Sequence, residues 1–292
     1  MSVNERLIII VGPTASGKSA FAVKIARKIG GEIISADSRQ VYKGLNLASG
    51  KITKHEMRGV PHYCLDLVSP KKNFTADDYK KCFWDAVEKI ESRGKIPVVV
   101  GGTGFYIDIA LGRMKAASTP PNPKLRHALA KKTTGALFAM LKKLDPRRAT
   151  DIAKKNETKN KVRLIRSIEI AKGGEPTKGS PSGIPEGLPF VKERATFWIG
   201  IPHVGEALRK KIHARLGARM KVGMVNEIRK LRRGGVSWKR LDELGLEPRW
   251  IARYLQGKIT KERMLYHLEN AIWRYSKRQM TWFKRNREIR WV

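Results

Sequence analysis

The apolar run Leu7-Ile8-Ile9-Ile10-Val11 leads straight into Gly12-Pro13-Thr14-Ala15-Ser16-Gly17-Lys18-Ser19, and this junction constrains the chain more than any other feature. An unbroken apolar run suits a strand buried on both faces, and a glycine-containing turn behind it can gather backbone N–H groups around an anion. Phe21, Ile25 and Ile29 then recur at helical spacing, so a helix is expected from Lys18 to about Ile29, its positive dipole end aimed at the same point. Residues Gly12 to Ser19 are therefore a candidate diphosphate-binding loop. Lys18 supplies a point charge, and the Ser19 hydroxyl is the candidate ligand for a magnesium ion bridging phosphate oxygens.

Glu32-Ile33-Ile34-Ser35-Ala36 reads as a second strand, ending at Asp37-Ser38-Arg39-Gln40. Ile96-Pro97-Val98-Val99-Val100 reads as a third, entered from a helix over 76–93 and running into Gly101-Gly102-Thr103-Gly104. Apolar strands alternating with helices predict an α/β fold, a P-loop NTPase-like parallel sheet core with helices on both faces. Ligands of such sheets sit beyond the carboxyl ends of the strands, so the phosphate loop, Asp37 and Thr103 are expected to open onto one crevice. From about Ser118 the texture changes. Pro120, Pro121 and Pro123 break the chain, and residues 124–172 carry helical periodicity with heavy basic decoration. A core of residues 1–118 and 186–292 carrying an all-helical insertion subdomain, 119–185, is expected. A glycine and proline tract from Gly173 through Pro189 is expected to lead out of the insertion as an irregular loop, Thr196 to Ile201 to rejoin the sheet, and residues 203–292 to be helical.

Lys and Arg number 61 against 26 Asp and Glu, a formal net charge of +35. That excess favours a polyanionic partner, although lysines scattered along every segment also solvate the surface. Cys64 and Cys82 are far apart with no CxxC and no histidine pair nearby, so neither a zinc site nor a disulfide is expected and a reducing cytoplasm fits. The first strand starts too early to leave room for a secretion signal, and no window approaches the apolar length of a membrane span. A soluble cytoplasmic protein is expected, with no membrane partner.

Kinases with this loop usually end a neighbouring apolar strand in an aspartate that holds magnesium, whereas Val98-Val99-Val100 ends in Gly-Gly-Thr-Gly. Asp37, at the end of the second strand, is the carboxylate placed to act as a base. Trp273 through Arg287 interleaves cations with aromatics on an expected helix, in the manner of an RNA-contacting surface. Trp273, Met280 and Phe283 are expected to be mostly core.

Five segments, GPTASGKS at 12–19, SADSRQVYKGL at 35–45, PHYCLD at 61–66, VVVGGTGFY at 98–106 and YSKRQMTWFKR at 275–285, together resemble the tRNA dimethylallyltransferases, in order and over nearly the full chain. Asn160 to Glu169 is similar to the family's Arg-x-x-Arg-Ala-Leu-Glu helix, and Lys211-Ile212-His213-Ala214-Arg215 to its Arg-Ile-x-x-Arg segment. The chain departs from the family at Leu244-Gly245-Leu246-Glu247-Pro248-Arg249-Trp250, where an Ile-Gly-Tyr segment is usual, so any tRNA contact there passes to Arg249 or Trp250, the latter expected in the core. No counterpart of the zinc finger of eukaryotic members is expected.

The resemblance implies transfer of a dimethylallyl group from dimethylallyl diphosphate to the exocyclic N6 of the adenine at tRNA position 37, beside the anticodon, with release of pyrophosphate. It implies that the loop and Lys18 grip the diphosphate with a magnesium ion at Ser19, and that Arg215 is a further cation on the leaving group. Asp37 accepts the amine proton, and Thr103 holds the diphosphate or the amine. It also implies that the anticodon stem-loop is read by Asp37, Ser38, Arg39 and Gln40, by Arg163 and Arg166 in the insertion, and by Lys277, Arg278, Gln279, Thr281 and Trp282. A monomer is expected. The competing readings are an adenylate isopentenyltransferase acting on free nucleotides, a small-molecule kinase, and a non-catalytic RNA-binding protein.

Overall fold

The computed structural model describes residues 6–114, 119–173, 195–202 and 205–292. Six strands, β1 (Arg6–Val11), β2 (Glu32–Ala36), β3 (His62–Tyr63), β4 (Pro97–Gly101), β5 (Ala195–Gly200) and β6 (Arg290–Trp291), form one sheet ordered β3-β2-β4-β1-β5-β6, parallel throughout. Every residue of β2 and β4 is buried, which explains the apolar Val98-Val99-Val100 of β4 and the mostly apolar β2, whose Glu32 and Ser35 are buried polar residues. Gly101 lies level with Val11 on one side and Ala36 on the other. Strands β1, β4 and β2 therefore end side by side, and neighbouring strands are about 4.8 Å apart. The register alone thus brings the turns after Val11, Gly101 and Ala36 together.

Period-two alternation sends successive strand residues to opposite faces of the sheet. On one face Ile10, Ile33, Val98 and Val100 pack with Ala22, Val23 and Ala26 of α1 (Lys18–Ile29). After the single turn of α2 (Lys54–Met57), helices α3 (Ala76–Glu91) and α4 (Gly104–Ala110) cover the other face, with Tyr79, Phe83, Val87 and Ile90 packed against Ile9, Ile34 and Val99. A capping box at Thr75 and Asp78 starts α3.

The chain divides into two compact units, Met1–Arg113 with Gly187–Val292, and Met114–Glu186. The second contains α5 (Pro123–Ala130), α6 (Thr134–Leu144), α7 (Pro146–Lys154) and α8 (Lys161–Lys172), packed around Leu137, Leu141, Leu164 and Ile168. Its buried Glu169 accepts hydrogen bonds from Arg126, Arg166 and the Asn122 amide. Burial pushes this carboxyl up, but the three donors outweigh burial and hold its pKa at about 2. Because the folded value lies below the unfolded one, the stabilisation is present above pH ~4.5 and is lost as pH falls toward 2. Glu169→Gln is expected to destabilise this unit by about 2–3 kcal/mol, discounted for the part-exposed arginines, in thermal unfolding at neutral pH. The difference should vanish in acid.

The first unit ends in α9 (Gly205–Val222), α10 (Met224–Arg233), α11 (Trp238–Glu243), α12 (Leu246–Leu255) and α13 (Lys261–Phe283), whose apolar faces meet Val41, Leu45 and Ala48 in a third core. No helix among the described residues is long and apolar enough to cross a membrane.

Three expectations need correction. Residues 203–292 are not helical throughout: Gly200 receives the Val292 amide at 3.0 Å, and Arg290–Trp291 completes the sheet as β6. Strand β3 also went unread. Each strand is two residues long, too short for periodicity to register. The cysteines are not free thiols: Cys64, just after β3, is bonded to Cys82 on α3, with Cα atoms 6.2 Å apart. Spacing along the chain gave no warning, because α3 returns over the end of the sheet that carries β3. The expected irregular loop beyond Gly173 and the expected cuts after 118 and 185 fall in or beside 115–118 and 174–194, outside the described residues.

Candidate active site

The phosphate loop turns on Gly17, which holds φ at +89° directly before α1. No side chain caps that helix, so its first-turn amides are left to a ligand at the carboxyl end of the sheet. The Ser16 hydroxyl is buried without a hydrogen-bond partner. An uncapped helix start and an orphaned hydroxyl fit an anionic ligand.

A cavity of about 370 Å³ opens there, within the first unit. Thr14, Lys18 and Ser19 line it from the loop, Asp37, Ser38, Arg39 and Gln40 from the end of β2, and Arg215 from α9; Tyr275 and Arg278 of α13 close it. Burial lowers the Lys18 pKa to about 8, with the Asp37 charge opposing the fall and Arg215 adding to it. The Lys18 ammonium donates to the Pro13 carbonyl at 3.1 Å. Arg215 donates to the Gly50 carbonyl at 3.1 Å, which fixes its guanidinium at the rim. A second cavity of about 600 Å³ shares Ser19, Gly50, Ile52 and Arg215 with the first.

Asp37 Oδ1 accepts the Arg39 amide at 2.8 Å, an Asx turn that aims the residues after β2. Thr103 Oγ1 accepts the Ser38 amide at 3.1 Å. Burial, with the Asp37 charge in support, pushes the Tyr275 pKa up to about 12, so this hydroxyl is neutral. The turns after β2 and β4 are thus tied together through Thr103. Gln40 accepts from the Ser35 hydroxyl at 3.2 Å, and Arg39 donates to the Glu243 carbonyl at 3.2 Å.

The residues expected at RNA divide. Lys277 and Arg278 are exposed, each over an aromatic ring of its own helix, Trp273 and Tyr275. Thr281 is exposed, its hydroxyl donating to the Lys277 carbonyl. Arg163 is exposed and paired with Glu157 at 2.8 Å, and Arg166 binds Glu169 and the Thr119 carbonyl, both in the second unit. Gln279 departs from expectation. It is 5 % exposed, with its amide bonded at both ends to the protein. Trp282 likewise points inward, its Nε1 donating to Asp108 at 3.0 Å, while Met280 and Phe283 are buried as expected. Trp250 is part-buried against His267 rather than fully in the core, and Arg249 lines the cavity while donating to the Asp242 carbonyl.

Sequence reasoning missed two carboxylates. Glu227, in the first turn of basic α10, accepts the amides of Asn46, Leu47 and Ala48 and shapes the cavity wall. Glu247 lines the cavity 3.4 Å from Arg219, its pKa raised by burial and held back by that arginine. Only for Glu227, an acid among bases, did the sequence carry a hint.

A phosphate loop on the central strand of a parallel sheet, with a carboxylate two strands away and cations converging on one cavity, defines an enzyme of P-loop NTPase-like fold that handles a phosphorylated substrate. The chain belongs to the IPP transferase family, whose model matches residues 40–286. It is 38 % identical over 287 residues to tRNA dimethylallyltransferase 1 of Geotalea uraniireducens, covering 98 % of this chain and 89 % of the relative. It is 39 % identical over 281 residues to tRNA dimethylallyltransferase 2 of Trichlorobacter lovleyi, covering 96 % and 88 %. Among solved structures it resembles the full-length tRNA isopentenylpyrophosphate transferase of Bacillus halodurans (TM-score 0.70, 31 % identity, 99 % of this chain and 89 % of that one). It also resembles a eukaryotic dimethylallyltransferase acting on tRNA (TM-score 0.73, 26 % identity, 96 % and 70 %).

Proposed function

We propose that the chain transfers a dimethylallyl group from dimethylallyl diphosphate to N6 of the adenine at tRNA position 37. The observation that carries this reading is the convergence of the phosphate loop, Lys18 and Arg215 with Asp37 in one cavity that α13, a helix bearing exposed cations, closes, with Thr103 tied to the cavity wall by the Ser38 amide. The C–O bond to the diphosphate breaks as the N6–C bond forms, so negative charge develops on the departing pyrophosphate. The loop amides, Lys18 and Arg215 are fixed before reaction where that charge appears, which lowers the barrier most in a water-poor cavity. The adenine amine is a poor nucleophile because its lone pair is delocalised into the ring. Asp37 accepts one of its hydrogens, raising its electron density, and takes the proton as the new bond completes. Thr103, held by the Ser38 amide, presents its hydroxyl to the amine or the diphosphate.

Ser19 is the residue that would hold a magnesium ion. No group of three or more acidic, histidine or cysteine side chains able to bind a metal occurs among the described residues. A lone hydroxyl fits an ion that takes most of its ligands from phosphate and water. The ion would neutralise diphosphate charge. The acceptor base has to leave the stacked anticodon loop to reach the cavity, and the +35 charge suits a protein that holds RNA by its phosphates. The reading takes the protein to act as a monomer on tRNA in the cytoplasm.

The deciding experiment incubates the protein with magnesium, dimethylallyl diphosphate and an unmodified tRNA carrying adenines at positions 36 and 37, followed by nucleoside mass spectrometry. N6-dimethylallyladenosine is expected only when both substrates are present. Prenylation of free AMP in place of tRNA would sink the reading. Arg163 is assigned to a tRNA phosphate from its exposed place on α8, so Arg163→Ala should weaken tRNA binding and reduce the magnitude of the salt slope by roughly one unit. An unchanged slope would leave it as the partner of Glu157 alone.

A further inference from the structure

Gln279 places a primary amide between the two turns that build the reaction centre. Its Oε1 accepts the Thr14 amide at 2.8 Å, and its Nε2 donates to the Gly102 carbonyl at 2.9 Å. Thr14 belongs to the diphosphate loop after β1, and Gly102 precedes Thr103 after β4. The fit is close: a Cβ on Gly102 would overlap the Gln279 Nε2, so a larger residue there would displace the Gln279 amide. A neutral side chain offering an acceptor and a donor on adjacent branches is what this pair of backbone groups demands, and among side chains that are ordinarily neutral at pH 7 only glutamine and asparagine have one. Asparagine, one methylene shorter, does not span the same gap from this helix.

One turn earlier on α13, Tyr275 lines the active-site cavity, and Arg278, next to Gln279, is exposed and lines the same cavity. A single face of α13 therefore holds the diphosphate loop and the Thr103 turn and also presents a cation to the acceptor side. We propose that Gln279 is a positioning residue: its amide fixes the spacing between the diphosphate loop and the Thr103 turn, and so locks both to the helix that meets the RNA. The part of this inference that concerns turnover rests on the function proposed above.

Gln279→Met keeps the side-chain length and removes both hydrogen bonds. Its kcat is expected to fall about 10²-fold, the effect of misplacing reacting groups by about an ångström, while KM for tRNA stays within about twofold. Inorganic pyrophosphate, measured by calorimetry, should bind about tenfold more weakly, because a loop amide has lost its anchor. Gln279→Glu adds a second readout. When ionised, its carboxylate opposes the Gly102 carbonyl; when protonated, it can donate to Gly102 and accept from Thr14 as glutamine does. Its kcat relative to wild type should therefore rise as pH is lowered from about 8 to 6.

Wild-type kcat and pyrophosphate affinity in Gln279→Met would overturn the proposal, and a raised KM for tRNA at unchanged kcat would return Gln279 to RNA contact. If Gln279→Met fails to fold, a pH-independent ratio for Gln279→Glu overturns the proposal and a rising one sustains it. Pyrophosphate binding does not depend on the acceptor. Weakened binding in the variant alongside an inactive wild-type enzyme would therefore leave Gln279's positioning role standing and sink the proposed reaction instead.

Discussion

Asp37→Asn should lower kcat by about 10²–10⁴-fold, the range for losing a general base, with tRNA affinity little changed. The substitution is informative because Asp37 does two things. Its Oδ1 accepts the Arg39 amide and shapes the turn after β2, and its charge faces Lys18 across the cavity. Asparagine keeps the first role, since its side-chain oxygen can still accept from Arg39, and loses the second. Asp37→Ala loses both. If proton transfer is the main contribution, the two variants are almost equally inactive in single-turnover assays with saturating tRNA. An active asparagine variant beside an inactive alanine one would reduce Asp37 to a turn former. Either variant should also lower the Lys18 pKa further, because the Asp37 charge opposes the effect of burial there.

The elements that build the site were legible because their physics is local. Strand β1 and α1 follow from an apolar run, a glycine turn and helical spacing, and the structure starts and ends α1 at Lys18 and Ile29 as the spacing predicts. Strands β2 and β4 were readable for a related reason: burial on both faces favours a short, mostly apolar run, broken in β2 only by Glu32 and Ser35. Their order in the sheet was not readable. That β4 lies between β1 and β2, which brings Thr103 between the phosphate loop and Asp37, depends on crossover connections and not on any short segment. The misread residues share that dependence. Gln279 lies in a basic, aromatic stretch whose composition suggests RNA, yet its position on α13 turns it inward to backbone groups 177 and 265 residues away. Trp282 follows the same logic one turn later, where Asp108 receives its ring N–H. Composition identifies the helix, and only packing decides which of its faces meets the partner. The bond between Cys64 and Cys82 and the hold of Glu227 on the 46–48 amides are likewise products of tertiary closure.

Lys18→Met should lower kcat/KM for dimethylallyl diphosphate by about 10²–10³-fold and yet raise the thermal midpoint at pH 7. The two effects have one origin. Burial lowers the Lys18 pKa from 10.5 to about 8, so the folded state holds this proton less tightly than the unfolded chain does. Keeping the lysine charged therefore costs the fold stability, in full below pH ~8, and the cost disappears as pH rises from about 8 to 10.5. Methionine, of similar length and apolar, removes the cost along with the charge, so the stability gap between variant and wild type should narrow across that window. Activity runs the other way. The free enzyme needs the charged form to receive a diphosphate, so wild-type kcat/KM should fall as pH rises through about 8, and this limb should be absent from the residual activity of Lys18→Met. A bound diphosphate supplies the charge that the empty cavity lacks and should raise the Lys18 pKa, so kcat at saturating substrate should hold to higher pH than kcat/KM. Equal thermal midpoints for the two proteins at pH 7, or a kcat/KM profile flat between pH 7 and 9, would contradict the view of Lys18 as a strained cation relieved by its substrate.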